Sequence, residues 1–439
     1  MLQKNGEDDG LMNIKESYEN VTKIASLNGI EVFWLKTEKF KTNSINIFFI
    51  DDLKKETASK NALLPAVLRR GCRNHPTFQE IALYLEKLYG ASFDCGVTKK
   101  GENQIIQFYI DHINDKFTGE QENLFEKSLE LLLQIITDPV TKSDSFIPEF
   151  VEQEKGNLKN IIENRINDKS QYAVEKCFEN MCKDEPFGIY EYGSVEDVMA
   201  ITPDGLYQYY LSFLKTLPVK VFIAGDLKEE NVKKVVERLS SIKIGAVKNT
   251  AVSSNTVDSR EVQHVSESMN VNQGKLSIGF RTNTSPRDPE YYSLFLYNTI
   301  LGGGIHSKLF QNVREKASLA YYANSRLEKF KGLMIISSGI AIENKDKAID
   351  IIMEQMKEIA GGNISDYEYD SSLYTIETGV KSMADSQLQM VDFYLGQIIA
   401  GSNDTLESLI EKVKKVTKED VSKISQKIKL DTVYFLTKQ

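Results

Sequence analysis

The chain carries one plan twice. INIFFIDD near residue 45 and LSIGFRTN near residue 276 place Ile45 on Leu276, Ile47 on Ile278 and Phe49 on Phe280, each displaced by 231 residues. The same displacement carries Gly71 onto Gly302 and Lys100-Gly101 onto Lys331-Gly332. An apolar run follows each Lys-Gly pair, IIQFYI after the first and LMIISS after the second. Separate features sharing one offset point to an old duplication. A length of 439 residues fits two units, because single cores stop growing at roughly 250–300 residues.

The ends of the two halves agree as well. ITPDGLYQYYLSF…VKVFIAGD (201–226) and VTKEDVSKISQKIKLDTVYFL (416–436) both read as a helix start, an amphipathic helix and a strand. Thr417 with Asp420 has a capping-box arrangement, with Asp in place of Glu or Gln. Between the halves lies AVKNTAVSSNTVDS, polar and without periodicity. The expected organisation is a first half over 1–245, a linker over 246–260 and a second half over 261–439.

The repeated strands alternate apolar and polar, as half-buried strands do. Leu124, Phe125, Leu129, Leu132 and Ile136 form a helical stripe that stops at Asp138-Pro139. Val151, Leu158, Ile161 and Ile162 mark a second long helix. Ile349, Ile352, Met353, Met356 and Ile359 mark another, ending at Gly361-Gly362. Long helices beside short strands give an α+β fold: two homologous halves, each a mixed or antiparallel sheet with helices packed on one face.

Several functions are disfavoured. The formal charge is −9 and no long Lys/Arg run occurs, so no nucleic-acid partner is expected. No run of 18 apolar residues suggests a membrane span. The first twenty residues lack the apolar core of a signal peptide, and a cytoplasmic location is expected. Cys72, Cys95, Cys177 and Cys182 read as reduced, mostly buried thiols. None of His75, His112, His264 and His306 has another His within five residues, which removes the i, i+4 zinc pair. Each reads as a surface or capping residue.

LGGGIHSKLFQNVREKASLAYYAN (301–324) is the most unusual stretch. Gly302-Gly303-Gly304 has neither the spacing of a P-loop nor that of a dinucleotide loop, so the phosphate reading fails. Glycines at a helix boundary instead allow backbone approach where a side chain would clash. Ile305, Leu309 and Val313 form the expected buried stripe and leave Arg314 off it. From pattern alone, Arg314 reads as a solvated charge and Tyr321 as a strand residue.

These same residues resemble the second-half signature of the M16 family of zinc peptidases, which includes insulinase, pitrilysin and mitochondrial processing peptidase. In that signature a Gly-rich turn and a Ser-x-Leu-Phe helix lead to an Arg, with Leu-Ala-Tyr ending seven residues later. Residues 201–226 are similar to the segment that closes the family's first half. LYGASFDCGVTKKGENQIIQFY (88–109) looks closest to a bacterial branch lacking zinc, labelled as associated with modification of elongation factor P.

The resemblance implies a site divided between subunits. Active members carry H-x-x-E-H on an early helix, in which two His bind zinc and the Glu is the general base. Aligning on Gly71 puts that motif on NALLPAVLRRG, so the His positions become Ala62 and Ala66 and the Glu becomes Pro65. The family's later zinc-binding Glu falls near Ile161, and Glu163 faces away. No metal is expected in this chain; zinc is expected in a partner. In heterodimeric members one subunit carries the zinc motif, and the other supplies an Arg and a Tyr that hold the peptide. Here those positions are Arg314 and Tyr321. The implied partners are a zinc-bearing M16 sister subunit and an extended peptide. The alternatives are a peptide-binding scaffold or regulator, and a purely structural subunit like those in respiratory complexes.

Overall fold

The computed structural model describes residues 17–18, 21–27, 29–119, 122–240, 242, 248 and 261–438. The first half runs β1 (Ser17–Tyr18), β2 (Val21–Leu27), β3 (Ile30–Lys36), β4 (Thr42–Asp52), α1 (Lys55–Leu68), α2 (Phe78–Lys87), β5 (Ser92–Lys100) and β6 (Asn103–Ile113). It continues with α3 (Leu124–Thr137), β7 (Thr141–Lys142), β8 (Ser145–Phe146), α4 (Pro148–Asn164), α5 (Lys169–Met181), α6 (Val195–Ala200), α7 (Pro203–Thr216), β9 (Val219–Gly225) and α8 (Glu229–Ser240). The second half runs β10 (Gln263–Met269), β11 (Gly274–Arg281), α9 (Tyr291–Gly302), β12 (Ala320–Glu328) and β13 (Leu333–Ile340). It closes with α10 (Lys345–Ala360), α11 (Asp366–Met383), α12 (Gln387–Ala400), α13 (Leu406–Lys414), α14 (Lys418–Ser425) and β14 (Lys429–Lys438). The expected linker, 246–260, lies outside the described residues except for Lys248.

The duplication is visible strand by strand. One sheet contains β3-β9-β4-β6-β5 and the other is β10-β14-β11-β13-β12. In each, the first pair is parallel and the other three are antiparallel. The constant offset does not survive through the hairpin. Phe49 faces Ile106, whereas Phe280 faces Met334 and not Ser337, so the path from the Lys-Gly pair to the matching strand position is three residues shorter in the second half. Gly101 and Gly332 both sit at positive φ, +59° and +64°, a region only glycine enters freely, although the first hairpin turns on two residues and the second on four.

Helical stripes seat each half's own helices. The α3 stripe from Leu124 to Ile136 is buried, and the helix ends at Thr137 before Asp138-Pro139. The Thr417 hydroxyl accepts from the Asp420 amide while the Asp420 carboxylate accepts from the Thr417 amide, completing the capping box. On α4, Val151 and Leu158 are buried but Ile161 is exposed. Two histidines differ from expectation: His112 and His306 are buried rather than at the surface.

The repeated strands are not half-buried. β4 and β11 are buried on both faces, because each sheet receives a helix from the opposite half. From α5, Ala173, Cys177 and Met181 pack on Leu333, Ile335 and Tyr434 of the second sheet. A Cβ on Gly279 would lie 2.9 Å from Met181 Sδ, so the helix approaches where β11 has no side chain. Reciprocally, α12 lies against β9, and its Met390 and Tyr394 join one apolar cluster with Phe48, Ile105 and Phe222.

The two Lys-Gly turns fasten this exchange. Lys100 Nζ lies 2.7 Å from Asp392 on α12. Lys331 Nζ, almost wholly buried, lies 2.5 Å from Glu102 and 2.8 Å from Glu185, just beyond α5. Arg281 joins Glu185 at 2.7 Å to Asp431 at 2.9 Å. Removing one member of a buried ion pair leaves an uncompensated charge and costs about 3–5 kcal/mol. Lys331→Ala is therefore expected to lose stability in that range. Lys100→Ala should lose less, because Asp392 is 60% exposed and water can solvate it. Urea unfolding of both variants checks the order.

Candidate functional site

The glycine run is a packing device at the end of α9. A Cβ on Gly302 would sit 2.3 Å from the Ser325 amide nitrogen of β12, and one on Gly303 would sit 2.6 Å from Thr299 Cα. The turn that follows is pinned to α11. His306 Nε2 lies 2.9 Å from Ser372 Oγ, and Lys308 pairs with Glu368 at 2.9 Å. Ile305 stands in this turn, ahead of the helix, so helical periodicity does not apply to it. It is 69% exposed, whereas Leu309 and Val313 are buried as expected.

Arg314 and Tyr321 both sit at local backbone irregularities. Phe310–Lys316 winds as a π-helix, with Val313 buried and Arg314 facing outward. The Arg314 guanidinium lies 4.6 Å from the Phe310 ring centroid, and its Nε is 3.5 Å from Glu315 Oε1. Ser318, at φ +51°, turns the chain into β12. The β12 register shifts between Ala320 and Tyr322, which leaves Tyr321 in a bulge and 77% exposed. A bulge re-aims the side chain it carries. Neighbouring Tyr322 points inward over Gly339, where a Cβ would lie 2.6 Å from Tyr322 Cε1.

A separate cavity of about 420 Å³ opens in the first half, and Ala62, Pro65, Ala66 and Ile161 all line it. Residues four apart on α1 share one face, and α4 brings Ile161 across from them. Glu163 is exposed and lies 3.7 Å from Lys159, away from the cavity. The lining also contains Arg69, Arg70 and Glu154. Arg70 donates to Glu154 at 3.2 Å and to Gln153 at 2.6 Å, while Asn157 donates to the other Glu154 oxygen at 3.0 Å. The Cys95 thiol donates to the Pro65 carbonyl at 3.3 Å. Burial pushes that thiol up to about 12, so it stays protonated and is not a nucleophile at neutral pH.

Alanine and proline offer no ligand to a metal and no base to a bound water. Among the described residues, no cluster of three His, Cys, Asp or Glu side chains is placed to hold an ion. Motif alignment directed attention to the erased positions and missed Glu154, Arg69 and Arg70. The signal was available: Arg70 lies four residues beyond Ala66 on the α1 side, and Glu154 lies two helical turns before Ile161.

Among known proteins, a family profile described as Peptidase M16 inactive domain matches residues 200–373. Over 424 residues the chain is 36% identical to the probable inactive metalloprotease YmfF of Bacillus subtilis (strain 168), spanning 96% of this chain and 98% of that protein. The chain belongs to the M16 peptidase family. A conserved protein from Enterococcus faecalis V583 superposes with a TM-score of 0.89 at 26% identity, over 96% of this chain and 99% of that one. A peptidase M16 inactive domain from Pseudomonas fluorescens has the same fold, with a TM-score of 0.77 at 16% identity over 96% and 98% of the two chains. Among the described residues no helix is long and apolar enough to cross a membrane.

Two predictions follow from these geometries. Ala62→His, Ala66→His and Ile161→Glu together should let the cavity bind one cobalt ion with the absorption of a tetrahedral site, while the parent chain shows none. Burial holds the His306 imidazole below its ordinary 6.5, with Glu368 opposing in part. The unfolded chain therefore takes up that proton first, so stability is full above about 6.5 and falls as pH drops through the folded value. Urea midpoints should decline between about pH 7 and 5, and His306→Gln should flatten the decline.

Proposed function

We propose that this protein is the non-catalytic, substrate-binding subunit of a heterodimeric M16 zinc endopeptidase. The observation that carries this reading is the contrast between its two halves. In the first half a cavity is lined by Ala62, Pro65, Ala66 and Ile161, which offer no metal ligand, and the second half presents Arg314 and Tyr321 from distorted backbone. Tyr321 makes no hydrogen bond among the described residues, and Arg314 reaches only its neighbour Glu315 and the Phe310 ring. A guanidinium offers a planar fork to peptide carbonyls, and a phenol hydroxyl donates to a carbonyl or oxyanion. Both groups would face an extended peptide, with zinc held by a sister M16 subunit. The functional units would be residues 1–245 and 261–439, joined by 246–260.

A peptide-binding scaffold or regulator, linked to modification of elongation factor P, is the second reading. It is favoured by an open cavity whose Ala62, Pro65, Ala66 and Ile161 offer no metal ligand. The two are separated by mixing this chain with a zinc-bearing M16 sister and measuring peptide cleavage. The subunit reading expects the mixture to exceed the sister alone. Arg314→Ala with Tyr321→Phe should then lower kcat/KM by about tenfold to a hundredfold, the loss expected for one or two substrate hydrogen bonds. A mixture that adds nothing to the sister would leave the scaffold reading.

A further inference from the structure

The ligand-free metal cavity has not become apolar. Its lining holds two guanidinium groups and one carboxylate. Glu154 is buried and committed to Arg70 and Asn157. Arg70 is therefore neutralised, although its Nε is buried without a hydrogen-bond partner. Arg69 is not neutralised: among the described residues no carboxylate oxygen lies within ion-pairing distance of it, and its guanidinium rests 5.3 Å from the Phe78 ring centroid. One positive charge on the lining is left uncompensated.

We propose that this cavity is a carboxylate-binding pocket, in which Arg69 takes one carboxylate group of a bound peptide. The inference rests on the reading that the natural ligand is a peptide, and it adds a preference for acidic sequence. Three observations converge on it. The excess charge is one, which matches a single carboxylate. Arginine binds carboxylates through paired, parallel hydrogen bonds, and a cation–π contact with the Phe78 ring, 5.3 Å from its centroid, consumes none of the Arg69 N–H donors. The volume, about 420 Å³, is in the range of small-ligand pockets, and Leu158, Val97 and Ile161 give it apolar wall for the methylenes of a glutamate. The cavity also adjoins β5 through Cys95, Gly96 and Val97, and β5 is the last strand of its sheet. The cavity lined by Ala62, Ala66 and Ile161 thus carries a net positive charge on its wall.

The carboxylate can come from a glutamate side chain or from a peptide C-terminus, and three acetylated tripeptides distinguish them. One has a central Glu and an amidated end, one a central Gln and a free end, and one a central Gln and an amidated end. Ligand-detected NMR at millimolar concentration with the full chain reports weak binding without need of a partner. We expect one of the two carboxylate peptides to bind at least about tenfold more tightly than the neutral one, the scale of a charge-assisted pair. Arg69→Gln should abolish that difference and Arg69→Lys should keep part of it. Lys427→Gln, which also removes one positive charge, should leave the difference intact. Equal binding of all three peptides, no binding of any, or an unaltered preference in Arg69→Gln would overturn the proposal. Urea unfolding of each variant separates lost binding from lost folding. Failure here alongside sister-dependent cleavage that needs Arg314 and Tyr321 would remove the pocket and keep the subunit reading.

Discussion

Two buried lysines, each reaching across to the opposite half, decide how this molecule is put together. Lys100 and Lys331 occupy equivalent hairpin turns, and each meets carboxylates on or beside the helix that the other half contributes. An ammonium group taken out of water demands a partner, so the ion pairs select one docking of α5 and α12 against many that apolar contact alone would tolerate. The consequences run through the core. With α5 and α12 in place, β4 and β11 are covered on both faces, and Gly279 leaves room where the Met181 sulfur comes closest.

This covalently closed pair has aged unevenly. In the first half, α1 and α4 face each other across a cavity, and Ala62, Pro65, Ala66 and Ile161 on its lining offer no metal ligand. In the second half the loop after α9 is held by glycines, by His306 on Ser372 and by Lys308 on Glu368. Those anchors are buried, while the Arg314 and Tyr321 side chains they position are outside. Rigid support beneath exposed, lightly engaged polar groups suits contact with a second molecule.

The sequence disclosed the duplication because identical strand positions and turn lysines repeat at one spacing. It disclosed α3 and α10 because their stripes keep a 3.6-residue period over several turns. It did not disclose the altered register of β13, since a three-residue shift leaves the strand's apolar character unchanged. Burial of both faces of β4 was hidden too: the helix that covers its second face lies more than 300 residues away. Ile305 misled because periodicity was extended through a turn that precedes the helix. In the cavity, the aligned positions Ala62, Pro65, Ala66 and Ile161 share one lining. Arg70 and Glu154 keep helical spacing to Ala66 and Ile161, but only the crossing of α1 and α4 brings them together with Arg69.

The reciprocal helices have an implication for how such a chain could arise. A single half, cut free, would expose one whole sheet face and strand a buried lysine without its counter-charge. Two copies of that half, related by a twofold axis, would satisfy each other completely, each lending the helix its mate lacks. The present protein is therefore built like a homodimer whose subunits were fused end to end. Fusion releases the two copies from having to share one sequence: from then on, one could line its cavity with Ala62, Pro65 and Ala66 while the other came to expose Arg314 and Tyr321.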